Sequence, residues 1–145
     1  AAGRGTTALW VTHRAEDALT VADRAAVLEF GHLRQVDPPE ALYRTPRSRY
    51  VARLFGPVNV LDAESARALG AEGAGDHLVR PEGLVLGETG LPGRVTGRRF
   101  RGTGYLAEVT LAAGAVVLVD TDSAPTVDAA VQVSARPGAL RPDAG

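Results

Sequence analysis

His13 stands directly after a short, continuous apolar run, Thr7 to Thr12 (TALWVT). Imidazole is the side chain that moves a proton near neutral pH. If the run is a strand of an open α/β sheet, its carboxyl end opens on the ligand crevice. An imidazole there can donate a hydrogen bond to negative charge developing on a reacting group. A lone histidine at a strand end is more often an ordinary surface or core residue, so His13 needs its context to count. A second set, Arg98-Arg99-Phe100-Arg101-Gly102-Thr103-Gly104, mixes cations, an aromatic ring and glycines. That composition suits a clamp for an anion or for single-stranded nucleic acid. With a formal net charge of −1, the plainer reading is a solvated strand followed by a flexible turn. Gly102-x-Gly104 is too short to be a dinucleotide fingerprint. Asp120, Asp122 and Asp128 lack the ligand alternation and glycine of a calcium loop and read as polar turns. His32 and His77 have no paired ligand at a suitable spacing. The sequence thus offers no metal site.

The elements that must position these residues follow from periodicity and turn chemistry. A continuous apolar run such as TALWVT fits a strand buried on both faces. Ala15, Ala18, Leu19 and Ala22 recur at helical spacing, with Glu16 and Asp17 in the first turn, predicting a helix over about Ala15 to Asp23. Arg24 to Phe30 and His32 to Val36 read as two strands turning at Gly31. Asp37-Pro38-Pro39-Glu40 predicts a helix start with Asp37 as N-cap and Glu40 as capping-box partner. Thr45-Pro46 repeats the device, and Tyr50, Val51, Leu54 and Phe55 form an apolar stripe that ends at Gly56-Pro57. That stripe reads as helix core rather than a cofactor box.

Beyond Pro57 the pattern becomes β. Val58 to Ala63 suits a strand, and Glu64 to Asp76 reads as loop with one helical turn at most. Short strands follow over His77 to Leu86, Gly93 to Arg99 (weak), Tyr105 to Leu111 (alternating), Ala115 to Asp120 and around Val131 to Ala135. Ala112-Ala113-Gly114 reads as a hairpin loop. Strands at this spacing indicate a small barrel or sandwich. The boundary is set at residues 1–57 and 58–145.

Bulk properties exclude several classes. There is no cysteine, hence no disulfide framework or cysteine zinc site. No apolar run is long enough to span a bilayer, and residues 1–7 lack the features of a secretory leader. All 16 basic residues are arginine, and no methionine occurs. A strand such as TALWVT needs neighbours on both edges and layers on both faces. Residues 1–36 cannot build that sheet alone. It must be completed by further sequence or another chain, or the segment stays poorly packed. Absence of methionine favours the first alternative, a C-terminal piece of a longer protein.

The stretch from Leu9 to Leu61 resembles the end of the nucleotide-binding domain in ATP-binding cassette (ABC) importer ATPases of the sugar, polyamine, sulfate and ferric-iron type. The resemblance rests on a strand ending in Thr12-His13, then Glu16-Asp17-Ala18-Leu19, Ala22-Asp23-Arg24, the Gly31 turn, Pro39-Glu40-Ala41-Leu42-Tyr43, and Pro46 followed by Val51-Ala52. Gly56-Pro57-Val58-Asn59 resembles the junction into a regulatory domain. Val79-Arg80-Pro81-Glu82, Gly93-Arg94-Val95 and Phe100-Arg101-Gly102 resemble the transport-associated oligonucleotide-binding-like (TOBE) domain. The fold class implied is α+β: an incomplete α/β remnant of the nucleotide-binding domain, followed by a small all-β OB-like barrel.

By this resemblance His13 is the switch histidine that contacts the γ-phosphate and helps position the attacking water. The parent would use ATP and Mg²⁺, whereas this chain holds no cofactor. It has no lysine and therefore no Walker A loop. No apolar strand ends in paired carboxylates, and there is no Leu-Ser-Gly-Gly-Gln signature. The chain alone is thus not expected to be an enzyme. Implied partners are the N-terminal part of the nucleotide-binding domain, a homodimer partner and membrane permease subunits, but no nucleic acid. The implied location is the cytoplasmic face of the plasma membrane. Two rivals are a stand-alone OB-like module for small oxyanions and a nucleic-acid-binding barrel that shares only the fold.

Overall fold

The computed structural model describes residues 5–145; the part of the leader reading that concerns residues 1–4 lies outside them. The chain divides into two compact units. One ends at Gly56 and takes in Ala144–Gly145; the other is Pro57–Asp143.

The first unit contains α1 (Ala15–Val21), β1 (Ala25–Glu29), β2 (His32–Asp37), α2 (Pro39–Arg44) and α3 (Arg49–Leu54). β1 and β2 pair antiparallel around Phe30-Gly31, with a bulge between Val27 and Leu28. Both turn residues have positive φ, 49° and 76°, as a two-residue hairpin requires. Gly31 adopts this freely; a bulky Phe does so against steric resistance. Val27, Leu42, Val51 and Phe55 form the buried apolar cluster. The Tyr50–Phe55 stripe is therefore core, except that Leu54 is exposed and Ala52 is buried in its place.

Two of the expected helix starts are set differently. Asp37 does not cap α2: its carboxylate accepts from Gln35 Nε2 at 2.8 Å, and Pro38 occupies the N-cap position. Glu40 pairs forward with Arg44 at 3.0 Å instead of closing a capping box. For α3 the cap is Ser48, whose hydroxyl accepts from the Val51 N–H. Thr45 instead donates back to the Ala41 carbonyl at 2.9 Å. Gln35, almost wholly buried, explains the preference. Besides Asp37 it donates to the Thr45 carbonyl, and its Oε1 accepts from the Arg47 N–H at 2.9 Å. One amide thus fixes the α2–α3 connection to β2, and a buried amide so satisfied outweighs a solvent-facing cap.

The expected strand Thr7–Thr12 is absent. Those residues carry no strand pairing, and Leu9, Trp10 and Val11 are 94%, 62% and 86% exposed. The physical reason is the one stated for the sequence: a parallel-sheet strand without neighbours has no partners for its backbone groups and nothing to cover its faces.

In the second unit β3 (Asn59–Leu61), β4 (His77–Val79) and β10 (Arg141–Pro142) form a three-stranded sheet, order β10-β4-β3. The larger sheet joins β5 (Leu84–Gly87), β6 (Leu91–Phe100), β7 (Tyr105–Leu111), β8 (Val116–Thr121) and β9 (Ala130–Ala135). Its order is β5-β9-β6-β7-β8, antiparallel throughout. β5 and the 3₁₀ turn Pro81–Gly83 pack toward β8, curling the sheet into a barrel. Its interior is filled by Leu84, Val95, Ala107, Val109, Val119 and Val133, among others. The alternation read over Tyr105–Leu111 is seen in Ala107, Val109 and Leu111 facing inward. Leu106, on the opposite face, is also buried. Its cross-strand neighbours are Arg99 and Asp120.

β6 is longer than the weak strand expected, because Leu91 and Pro92 pair with β9 and Phe100 pairs with Tyr105; a bulge between Val95 and Gly97 interrupts its register. Gly90, at φ 120°, turns the chain into it; a Cβ there would lie 2.0 Å from the Val133 carbonyl oxygen. The segment read as mostly loop contains α4 (Ala63–Ala68). Asp62 starts it, accepting the Ser65 N–H at 2.7 Å. That hydrogen bond holds the Asp62 carboxyl below the usual carboxylate range. A depressed folded-state value means the cap stabilises α4 above the ordinary carboxylate pKa and is lost as pH falls through the folded value. Acid titration followed by amide exchange at Ser65 should show protection falling at that step. An Asp62→Asn variant, which keeps an acceptor oxygen, should show no such step. The same acid-linked loss in both proteins would exclude the carboxylate as its cause.

Candidate functional site

His13 lies at a bend between the exposed apolar run and α1. The bend is built by Thr12. Its hydroxyl oxygen accepts from the Arg14 N–H at 3.0 Å and its proton goes to Asp17 Oδ2 at 3.1 Å. Arg14, the N-cap residue, gives no side-chain cap. Thr12 is thus a local helix starter that the sequence pattern did not single out, although a hydroxyl next to a helix-forming run is a recognisable signal. Ala15 and Ala18 rest on the Val27–Leu42–Val51–Phe55 cluster, which orients α1 within its unit. His13 itself is solvent-exposed, and its imidazole has no hydrogen-bond or ion-pair partner among the described residues. It is accessible, but no polar contact among the described residues of its unit holds it in a pocket.

The other candidate groups do not gather around it. His32 is exposed at the start of β2. His77 is buried in the second unit, with Nδ1 3.1 Å from the Gly75 carbonyl and Nε2 3.2 Å from that of Glu72. It is a packing residue that gathers its own preceding loop. In the Arg98–Gly104 stretch, Arg98 donates to the Pro125 carbonyl at 3.0 Å and Arg101 pairs with Asp120 at 3.4 Å. Phe100 stacks obliquely on Tyr105, ring centroids 5.2 Å apart. Two of the three guanidiniums are therefore engaged within the domain, Arg98 by a backbone carbonyl and Arg101 by a carboxylate. Asp128, at φ 69°, makes a turn whose carbonyl accepts from Arg94. Among the described residues no three His, Asp or Glu side chains converge as metal ligands would. A shallow depression of ≈ 330 Å³ is lined by Gly87, Glu88, Pro92, Gly93, Ala130, Val131 and Gln132. Its one charged side chain is a carboxylate, the wrong sign to hold an oxyanion.

One polar arrangement in the second unit escaped the sequence reading. The Asn59 side chain is buried and lies against the backbone of β8. Its Nδ2 donates to the Leu118 carbonyl and its Oδ1 accepts from the Leu118 N–H, each at 2.8 Å. The amide thus acts as a one-residue strand that pairs with the outer edge of β8. Two residues earlier, the Pro57 carbonyl accepts from Arg80 Nη1 at 2.9 Å. Entry into the barrel is fixed by these bonds.

An OB-like all-β domain, preceded by a mixed helix–hairpin unit that carries a strand-less apolar run, is the class that the fold defines. Residues 77–142 match the TOBE domain family. The chain is also similar to ATP-binding proteins of ABC transporters. It is 33% identical over 138 residues to an uncharacterized ABC transporter ATP-binding protein of Sinorhizobium fredii, covering 93% of this chain and 41% of that protein. It is 35% identical over 143 residues to a spermidine/putrescine import ATP-binding protein of Pseudomonas aeruginosa, covering 81% and 39%. A third relative is an Fe(3+) ions import ATP-binding protein of Agrobacterium fabrum, 30% identical with 80% and 39% covered. The chain spans about two fifths of the length of these curated relatives. The resemblance to ABC importer ATP-binding proteins carrying a TOBE domain, first read from Leu9–Leu61 and the short motifs after Val79, agrees with these matches.

Proposed function

We propose that this chain acts as the C-terminal portion of the ATP-binding subunit of an ABC solute importer. Residues 1–57 end the nucleotide-binding domain and supply His13 as the switch histidine; residues 58–145 are the regulatory domain. The observation that carries this reading is the apolar run Leu9-Trp10-Val11, bare to solvent and ending at an exposed imidazole. Exposed apolar surface of this kind marks an interaction site. Placed as an interior strand, the run would set His13 at the carboxyl end of a parallel sheet, where phosphate ligands of such sheets lie. The face of the β1–β2 hairpin bearing Leu28 and Leu33, 61% and 60% exposed and directly opposite one another, would be covered by the same sheet.

In this reading the phosphate cradle, the magnesium ligands and the remaining catalytic groups come from sequence outside the chain. ATP and Mg²⁺ would belong to the assembled subunit, which would work as a homodimer against membrane permease subunits at the cytoplasmic face. His13 would donate a hydrogen bond to the γ-phosphate as charge develops there and would help orient the attacking water. No helix among the described residues is long and apolar enough to cross a membrane.

The test is a graft. The N-terminal three fifths of the Pseudomonas aeruginosa relative, joined to this chain where their similarity begins, should bind and hydrolyse ATP. Neither piece alone should do both. A graft that binds ATP and folds cooperatively, yet has no hydrolysis above the N-terminal piece, would overturn the proposal.

A further inference from the structure

We draw no further inference here: the strongest candidate, the bare apolar face of the β1–β2 hairpin with Leu28 and Leu33 opposite one another and Phe30 exposed at the turn, belongs to the surface already assigned to the rest of an ATPase sheet, and nothing in the structure shows what else covers it.

Discussion

Replacing His13 with alanine in an ATPase completed with this chain should slow hydrolysis by about 10²–10³-fold, the loss typical of removing one well-placed donor to a transition-state charge. ATP affinity should stay within about threefold, because the donor matters most where charge develops and not in the ground state. Fold stability should be almost untouched. The imidazole is exposed and unpartnered among the described residues, and surface changes of that type shift stability by about 0.5 kcal/mol or less. The combination is diagnostic: turnover falls while binding and unfolding do not. Single-turnover hydrolysis, nucleotide titration and urea unfolding on the same preparation separate the three. Unchanged turnover would remove His13 from the mechanism, whereas parallel loss of turnover and binding would make it a ground-state contact.

Asn59→Ala should destabilise the second unit by about 4 kcal/mol, since it strands both backbone groups of Leu118 at about 1–3 kcal/mol each. Both bonds are 2.8 Å long and part-buried, and the amide that makes them is itself buried. Urea unfolding should show a lower midpoint with an unchanged slope, the signature of lost stability without a change in the surface exposed. Asn59→Asp keeps the acceptor for the Leu118 N–H but sets a carboxylate against the Leu118 carbonyl, so it should be no better than alanine. A loss under about 0.5 kcal/mol for Asn59→Ala would mean that water replaces the amide and that β8 needs no partner on its outer edge.

Much of the architecture could be read from short-range signals. The β1–β2 hairpin follows from two β-rich runs around Gly31, and the inward β7 face follows from the alternation of Ala107, Val109 and Leu111, because both depend on neighbours in sequence. What escaped reading depends on distant partners. Gln35 decides which residues begin α2 and α3 through bonds to Asp37, Thr45 and Arg47, and no local pattern announces that. Asn59 and Leu118 are 59 positions apart. β10 has only two residues and exists because β4 offers an edge. The apolar run before His13 is the informative departure. Its composition suits an interior strand, yet the described residues pair no strand with it, so local preference and tertiary structure disagree. His13 could be singled out only because the residues around it form a pattern; among the described residues its imidazole has no partner from which a role could be derived. The arginine–aromatic stretch shows the reverse. Its composition would suit a ligand clamp, although a solvated strand and turn is the plainer reading, and Arg98 and Arg101 are engaged by Pro125 and Asp120.

Backbone amide exchange across Leu9–Thr12 addresses the interior-strand claim at its root. In the chain alone these amides should exchange close to the rate of an open peptide, as expected of a segment without pairing. In the graft that supplies the rest of the nucleotide-binding domain they should slow by about 10³-fold or more, together with those of β1, as the run enters a sheet. Exchange that stays fast in an ATP-binding graft, or protection already present in the isolated chain, would contradict the assignment of this run as the strand that carries His13.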